Sequence, residues 1–440
     1  MKKRAALVVL SLAMAVSCAM SGCGRGKSSA SNRAERNKEG VIEYTMISGK
    51  TGEDEAAPYF AASVERFNEK NEGKYHITLQ GSTNYHEKLQ QLIKSGNIPT
   101  IFEEDAPDFN KNYMIPKKTY YDLSEFLDSH PEIKDICIDS SLKYVTQEDG
   151  SICSMPNVIL NSTGVWYNTK LYSPSKPIKE MTWDEFVDDL GENKIALQTG
   201  DGAFQIDLLI PALMAQEKDG ISMMNEWKKN NCTDFTTAEW KNVFTKVKEI
   251  YDAVGWEGGI GANYADAANS SVIFNGVWIS ANLKEDVDGN WSNGFNGADV
   301  TCDIYPGNIT VGNPDTYTWW INPEANEDEL ELSYAWLEHY YSQDEIEERL
   351  LSLGGTAPKL EYSEEFKTAL AENQFSSALT NAIEENTTIV PEYYYFCSAS
   401  AMEEMSKLLP SLLDGSMSID EFCEEMTAKE LEIVKNKYAS

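Results

Sequence analysis

The sequence predicts an α/β protein of two domains, and three observations carry that reading. The chain has 440 residues, more than a single hydrophobic core usually organises. Between Val41 and Phe102, period-2 and helical apolar patterns alternate as strand, helix, strand, helix, strand. A second unit opens at Gly164–Tyr172 (GVWYNTKLY), followed by TWDEF at Thr182–Phe186.

In the first unit Val41–Ile47 alternates as a strand, and Phe60, Val64 and Phe67 fall at i, i+4 and i+7, which predicts an amphipathic helix over Glu53–Asn71. Tyr75, Ile77 and Leu79 alternate as a strand; Leu89, Leu92 and Ile93 mark a helix ending near Gly96; Thr100-Ile101-Phe102 is a third short strand. A βαβαβ order implies a parallel sheet with right-handed crossovers. Open sheets of this kind bind ligands beyond the carboxyl ends of their strands. Those ends are Ser48-Gly49-Lys50, the Gly81–Tyr85 loop and Glu103-Glu104-Asp105.

The extended run Met155–Leu160 leads out of the first unit into the second. There Gly164–Tyr167 reads as a strand, with Trp166 and Tyr167 expected to pack within it. Thr182 and Glu185 have capping-box spacing, so a helix starts at Trp183 and runs to Leu190. Ile195–Leu197 is a strand, and Phe204–Ala215 and the Trp240–Tyr251 region are helical. Ser271–Ser280 reads as a strand with Asn275-Gly276 in its course. Helices follow at Glu327–Tyr341 and Glu345–Leu353, and the helical tail offers another cap at Ser418–Glu421.

The N-terminus belongs to neither unit. Lys2, Lys3 and Arg4 precede the apolar run Ala5–Val16, and Met20-Ser21-Gly22-Cys23 follows, the order of a secretory signal. Small residues ending at a cysteine resemble a bacterial lipobox, which implies cleavage before Cys23 and a lipid on its sulfur; an ordinary signal peptide is the alternative. Gly24–Gly40 is small, polar and net basic, and is expected to be a flexible tether.

The chain carries a net charge of −34, which argues against nucleic acid as a partner because no basic stripe is available for phosphates. Cys137, Cys153, Cys232, Cys302, Cys397 and Cys423 remain beyond the signal, as buried thiols or bridges, with Cys137–Cys153 the first pair to test. Several catalytic and cofactor motifs are absent. Gly49-Lys50-Thr51 resembles the end of a phosphate loop, but Tyr44 stands where that loop needs glycine. The four histidines make no HxxxH pair and there is neither CxxC nor GxSxG, so the sequence supports no metal site, no cofactor and no enzyme.

Five segments in order carry a resemblance: YHEKLQQLIKSGNIPTIF at Tyr85–Phe102, GVWYNTKLY with TWDEF, FNGVW at Phe274–Trp278, WLEHYYSQDEIEERL at Trp336–Leu350, and LLDGSMSIDEF at Leu412–Phe422. Behind a lipobox, they resemble the family 1 extracellular solute-binding lipoproteins of carbohydrate ABC transporters, the group that includes maltodextrin-binding protein. The resemblance implies a two-lobed periplasmic-binding-protein-like fold (class II), with a ligand cleft between the lobes and three hinge crossings. By position, residues 1–22 are the signal peptide, 23–40 the lipidated tether, 41–157 with 320–370 the first lobe, and 158–319 with 371–440 the second. It further implies a monomer anchored by lipid at the extracellular face of the cell membrane, which captures a mono- or oligosaccharide and delivers it to permease subunits. Two alternatives remain open: a surface glycan-binding lipoprotein not coupled to transport, and the same fold binding a non-sugar such as a polyamine.

A sugar presents apolar C–H faces to aromatic rings and hydroxyls to carboxylates and amides. The resemblance places Trp278 against the ligand. Trp319 and Trp320 sit at the second crossing, where adjacent residues of an extended chain face opposite ways, so one is expected to see the cleft. Glu103, Glu104 and Asp105 leave a strand at its carboxyl end. Asn161 and Phe204 match family contact positions loosely, and Tyr85 and Lys50 are weaker candidates. The run Tyr393–Phe396 departs from the family pattern, and either lines the cleft rim or packs.

Overall fold

A computed structural model describes residues 32–438 except 53, 55, 83, 197–203, 255, 258–270, 283–299, 373–377, 380 and 385. Cys23, the expected signal segment and residues 24–31 of the expected tether therefore lie outside the described residues. No described helix is long and apolar enough to cross a membrane.

The first unit folds as strand β2 (Ile42–Ser48), helix α1 (Ala57–Lys70), strand β3 (Tyr75–Gly81), helix α2 (Tyr85–Lys94) and strand β4 (Ile101–Glu103). Strands β2 and β3 are parallel, in register from Ile42↔Tyr75 to Ser48↔Gly81. Helix α1 starts later than its periodicity suggests, because Pro58 suits only the first turn; it buries Phe60, Val64 and Phe67. Strand β4 does not extend the parallel ladder. It pairs antiparallel with β11 (Trp319–Ile321), Trp319 opposite Glu103, and the Tyr44 hydroxyl ties it to β2 by donating to the Ile101 carbonyl at 2.6 Å.

The described part of the expected tether Gly24–Gly40 packs on the first unit. Strand β1 (Glu35–Arg36) pairs antiparallel with β2, and Ala34 is buried. Arg33 pairs with Glu329 and donates to the Glu324 carbonyl at 2.9 Å, while Arg36 meets Asp328 at 2.6 Å and Glu331 at 3.0 Å. The basic residues read as a solvated spacer instead dock on the acidic first turn of helix Glu327–Tyr340, where the helix dipole concentrates the benefit of negative charge.

The second unit is a mixed sheet centred on β5 (Thr163–Asn168). Strands β8 (Val272–Gly276), β9 (Val300–Asp303) and β10 (Ile309–Val311) run antiparallel to β5. Short β6 (Ile195–Ala196) and β7 (Trp256–Glu257) continue it in parallel beyond β8, and β12 (Thr388–Val390) is parallel to β10. The capping box is present: the Thr182 hydroxyl accepts from Glu185 N–H at 3.1 Å, and the Glu185 carboxylate accepts from Thr182 N–H at 2.8 Å. Trp166 is fully buried, its indole N–H donating to the Asn275 carbonyl at 3.2 Å.

Two large hydrophobic cores result. One gathers residues from Ala34 to Ile159, Tyr317–Ile321 and Leu332 to Phe366; the other spans Val165 to Val311 and Val390 to Met426. A small third cluster on the second sheet joins Trp166, Ile273 and Leu379. The chain thus passes between lobes three times: between Ile159 and Val165, between Val311 and Tyr317, and between Phe366 and Leu379. All six described cysteines are buried and unbridged. Cys137 and Cys153 do not pair; each thiol bonds its own neighbourhood, at the carbonyls of Ile133 and Val145.

Burial pushes the Glu329 carboxyl up, but Arg33, the Asn326 N–H and the Thr100 hydroxyl outweigh it and hold the group below its ordinary 4.5. A depressed folded value contributes stability that is complete above the unfolded value and lost as pH falls through the folded one. Glu329→Gln is therefore expected to cost about 1–3 kcal/mol at neutral pH, with the gap to the wild type closing as pH falls below the ordinary carboxylate value, as read by urea unfolding.

Candidate functional site

The passages between lobes touch one another through residues without bulk. Leu160 N–H donates to the Thr356 carbonyl at 2.7 Å and Thr356 N–H returns a bond to Leu160 at 3.0 Å. A Cβ on Gly312 would lie 2.3 Å from the Asn161 carbonyl oxygen, so only glycine lets the second passage approach the first. Gly355 has φ +97°, and a Cβ there would meet Asn161 Oδ1 at 2.8 Å.

Beside this junction lies a cavity of about 270 Å³ bounded by both lobes. The first lobe supplies Lys50, Tyr59, Tyr340 and Arg349, the first passage supplies Asn161, and the second lobe supplies Trp278. Trp278 follows β8 in a 3₁₀ turn, Val277–Asn282, and is half-buried. A Cβ on Gly276 would stand 2.2 Å from its ring, so Gly276 is what allows the indole to fold back over the strand end.

Lys50, at the carboxyl end of β2, bonds Glu103 at 2.7 Å at the end of β4. Burial works against its ammonium, but Glu103 more than offsets this and holds it above the ordinary lysine value. Tyr85 packs its Cβ against the position of Gly49 and donates to the Glu103 carbonyl at 2.5 Å. Glu104 turns inward and is fully buried; one oxygen accepts from Ala106 N–H at 2.9 Å and the other has no hydrogen bond among the described residues. Burial pushes its carboxyl up. His86 lies between Glu104 at 3.5 Å and half-exposed Asp105 at 3.7 Å. Burial lowers its value, yet the two carboxylates prevail and raise it to about 9, so the ring is an imidazolium at neutral pH. These three residues are the group that brings metal-type donors together among the described residues, within 4.8 Å, and the imidazolium already serves the two acids as counter-ion.

The structure corrects the expectation for Trp319 and Trp320. Neither sees the cleft: they are 1% and 0% exposed. Trp319 stacks on Phe60 with centroids 6.3 Å apart and meets Trp336 edge-on, while Trp320 donates to the Glu104 carbonyl at 2.7 Å and lies against Tyr317 and Tyr120. The alternation holds, but β11 is covered on both faces, so both sides of the strand are core. Phe204 opens helix Phe204–Met214, and its side chain lies outside the described residues. In the tyrosine run, Tyr393 and Phe396 join the second core, whereas the Tyr394 hydroxyl donates to Tyr395 at 3.0 Å and Tyr395 donates to Thr316 of the second passage at 2.9 Å. Lys111 of the first lobe also donates to the Lys228 carbonyl of the second; burial and the Lys228 ammonium lower its value to about 8.

Residues 62–372 match the model of bacterial extracellular solute-binding proteins. The chain belongs to this family. Similar solved folds include a chitin oligosaccharide binding protein (19% identity, TM-score 0.68, 89% of this chain and 98% of that one). Others are RafE in complex with raffinose (15%, 0.66, 89% and 100%) and a Streptococcus pneumoniae solute-binding protein in complex with the blood group A-trisaccharide (15%, 0.64, 88% and 98%). No curated protein matches the chain.

In this solute-binding protein, then, three expected residues, Lys50, Asn161 and Trp278, share one cavity, and Glu103 and Tyr85 support it through Lys50 and the β4 end. Tyr59 and Tyr340 carry no separate site signal because they belong to the buried stripes of their helices, which periodicity reads as core, and Arg349 lies off such a stripe as an ordinary surface cation would. The junction behind the cavity is sensitive to a single methyl group. Gly355→Ala is expected to destabilise the protein by about 1–3 kcal/mol in chemical denaturation, since it adds a Cβ both at positive φ and against Asn161.

Proposed function

We propose that this solute-binding protein captures a sugar, specifically an oligosaccharide, between its lobes and delivers it to the permease of an ABC transporter. The observation that carries the reading is Trp278: a half-buried indole, held by Gly276, on a cavity whose other walls come from the opposite lobe. An indole face matches the C–H face of a pyranose, and Asn161 and Lys50 offer polar partners for hydroxyls. Proteins of similar fold whose names specify chitin oligosaccharide, raffinose and a blood-group trisaccharide support the same ligand class.

The lobe limits follow the cores: roughly 32–159 with 317–366 for the first, and 165–311 with the chain from 379 for the second. Ligand contacts from both draw them together about the passages, and the closed form is what the permease recognises. No covalent chemistry is part of this reading. The protein acts as a monomer, held at the outer face of the membrane by the lipid on Cys23. The polyamine alternative loses its main support, because Lys50 and His86 already partner the strand-end carboxylates.

A thermal-shift and calorimetric screen against mono- and oligosaccharides tests the ligand class, since a bound ligand raises stability by mass action. Trp278→Ala is expected to weaken the best ligand by about 1–3 kcal/mol in a protein that still unfolds cooperatively; unaltered affinity removes Trp278 from the site. X-ray scattering is expected to show compaction on saturation, and its absence with a tightly bound sugar would favour surface capture over transport. Cys23→Ala is expected to shift the mature protein from the membrane fraction to the medium, and retention on membranes would refute the lipid anchor.

A further inference from the structure

The cavity holds a cation that no carboxylate among the described residues bonds directly. The chain carries 71 acidic against 37 basic residues, so arginines rarely lack a carboxylate, and three of the four described ones have one. Arg33 pairs with Glu329, Arg36 with Asp328 and Glu331, and Arg66 with Glu345. Arg349 differs: it has no ion pair and no hydrogen bond among the described residues. It lies over the face of Tyr340, 5.5 Å from guanidinium carbon to ring centroid, and Glu103, which is bonded to Lys50, acts on it only through space.

Its position makes this informative. Arg349 lies on helix Gln343–Leu353 of the first lobe, half-buried at the wall of the cavity that Trp278 closes from the second. The other charges lining that cavity have employment. Lys50 is bonded to Glu103 at 2.7 Å, and Asp54 is exposed at the rim, one oxygen accepting from Ala56 N–H at 2.9 Å. The guanidinium donors have no acceptor among the described residues, and their planar fork suits two oxygens of one oxyanion. Tyr340 holds the guanidinium over its ring face without using its donors.

We propose that Arg349 is a specificity residue for an acidic sugar: the cavity takes a saccharide bearing a carboxylate or a sulfate ester, with the ring on Trp278 and the oxyanion on Arg349. This rests on the sugar reading above and narrows it. Because the two groups are supplied by opposite lobes, an acidic sugar spans the cleft, whereas a neutral one of the same size engages the arginine only through hydroxyls.

Calorimetry on the purified protein with matched pairs tests this: galactobiose against digalacturonate for the carboxylate, and an N-acetylglucosamine disaccharide against its 6-O-sulfated form for the sulfate. The acidic member of at least one pair is expected to bind roughly 10- to 100-fold tighter, the worth of a charge-assisted hydrogen bond, and the pair that responds identifies the oxyanion. Arg349→Gln is expected to weaken the acidic member roughly 10- to 100-fold more than its neutral partner and so erase the preference, and Arg349→Lys to retain part of it as a point charge. Melting temperatures of both variants close to the wild type establish that folding is intact. Equal or tighter binding of the neutral members, or a preference that survives Arg349→Gln, overturns the proposal while leaving the sugar reading standing. Binding of neither member of either pair, nor of any saccharide in the wider screen, overturns both.

Discussion

Two backbone hydrogen bonds between Leu160 and Thr356 hold together the place where the chain changes lobes, and the architecture depends on that contact. The bonds bring a loop of the first lobe against the first passage, and Gly312 brings the second passage onto the same point. Such close backbone approach leaves no room for side chains, which is why glycines stand there. The cavity exists because both lobes diverge from this knot: Lys50 and Arg349 arrive on one side, Trp278 on the other, and Asn161 lies on the passage itself.

Electrostatics near the cleft follows from how a very acidic chain distributes few cations. At the N-terminus, Arg33 and Arg36 are spent on fastening β1 to the acidic turn of helix Glu327–Tyr340. At the strand ends, Lys50 takes Glu103, and the His86 imidazolium takes Glu104 and Asp105. The buried oxygen of Glu104 shows the cost of turning a carboxylate into the lobe, and its raised value is the ordinary response to that desolvation. Against this pattern of directly paired charges, Arg349 is the exception, since the carboxylate that acts on it, Glu103, is bonded to Lys50.

Much of the fold was legible because it rests on local periodicity. The α1 stripe of Phe60, Val64 and Phe67, the capping box at Thr182, and the Gly164–Tyr167 strand all depend on residues near each other in the chain. Trp278 was singled out by the family resemblance; that it lines the cavity, over the space that Gly276 leaves, is a tertiary result. Trp319 and Trp320 were not: alternation gives the two faces of a strand, but whether a face meets solvent depends on what the rest of the molecule lays over it. Here α1, helix Glu327–Tyr340 and Tyr120 cover both.

The sequence by itself determined the α/β class, the order of elements, the family and the residues at the strand ends, because periodicity, caps and motif order are properties of short stretches. Tertiary structure decided that β4 pairs with β11, that the basic segment at Arg33–Arg36 docks, and that the cysteines stay apart. It also decided that Arg349 and Trp278 face one cavity. Each of these is a meeting of residues distant in the chain, and such a meeting is set by packing and charge balance across the whole molecule, which no local pattern encodes.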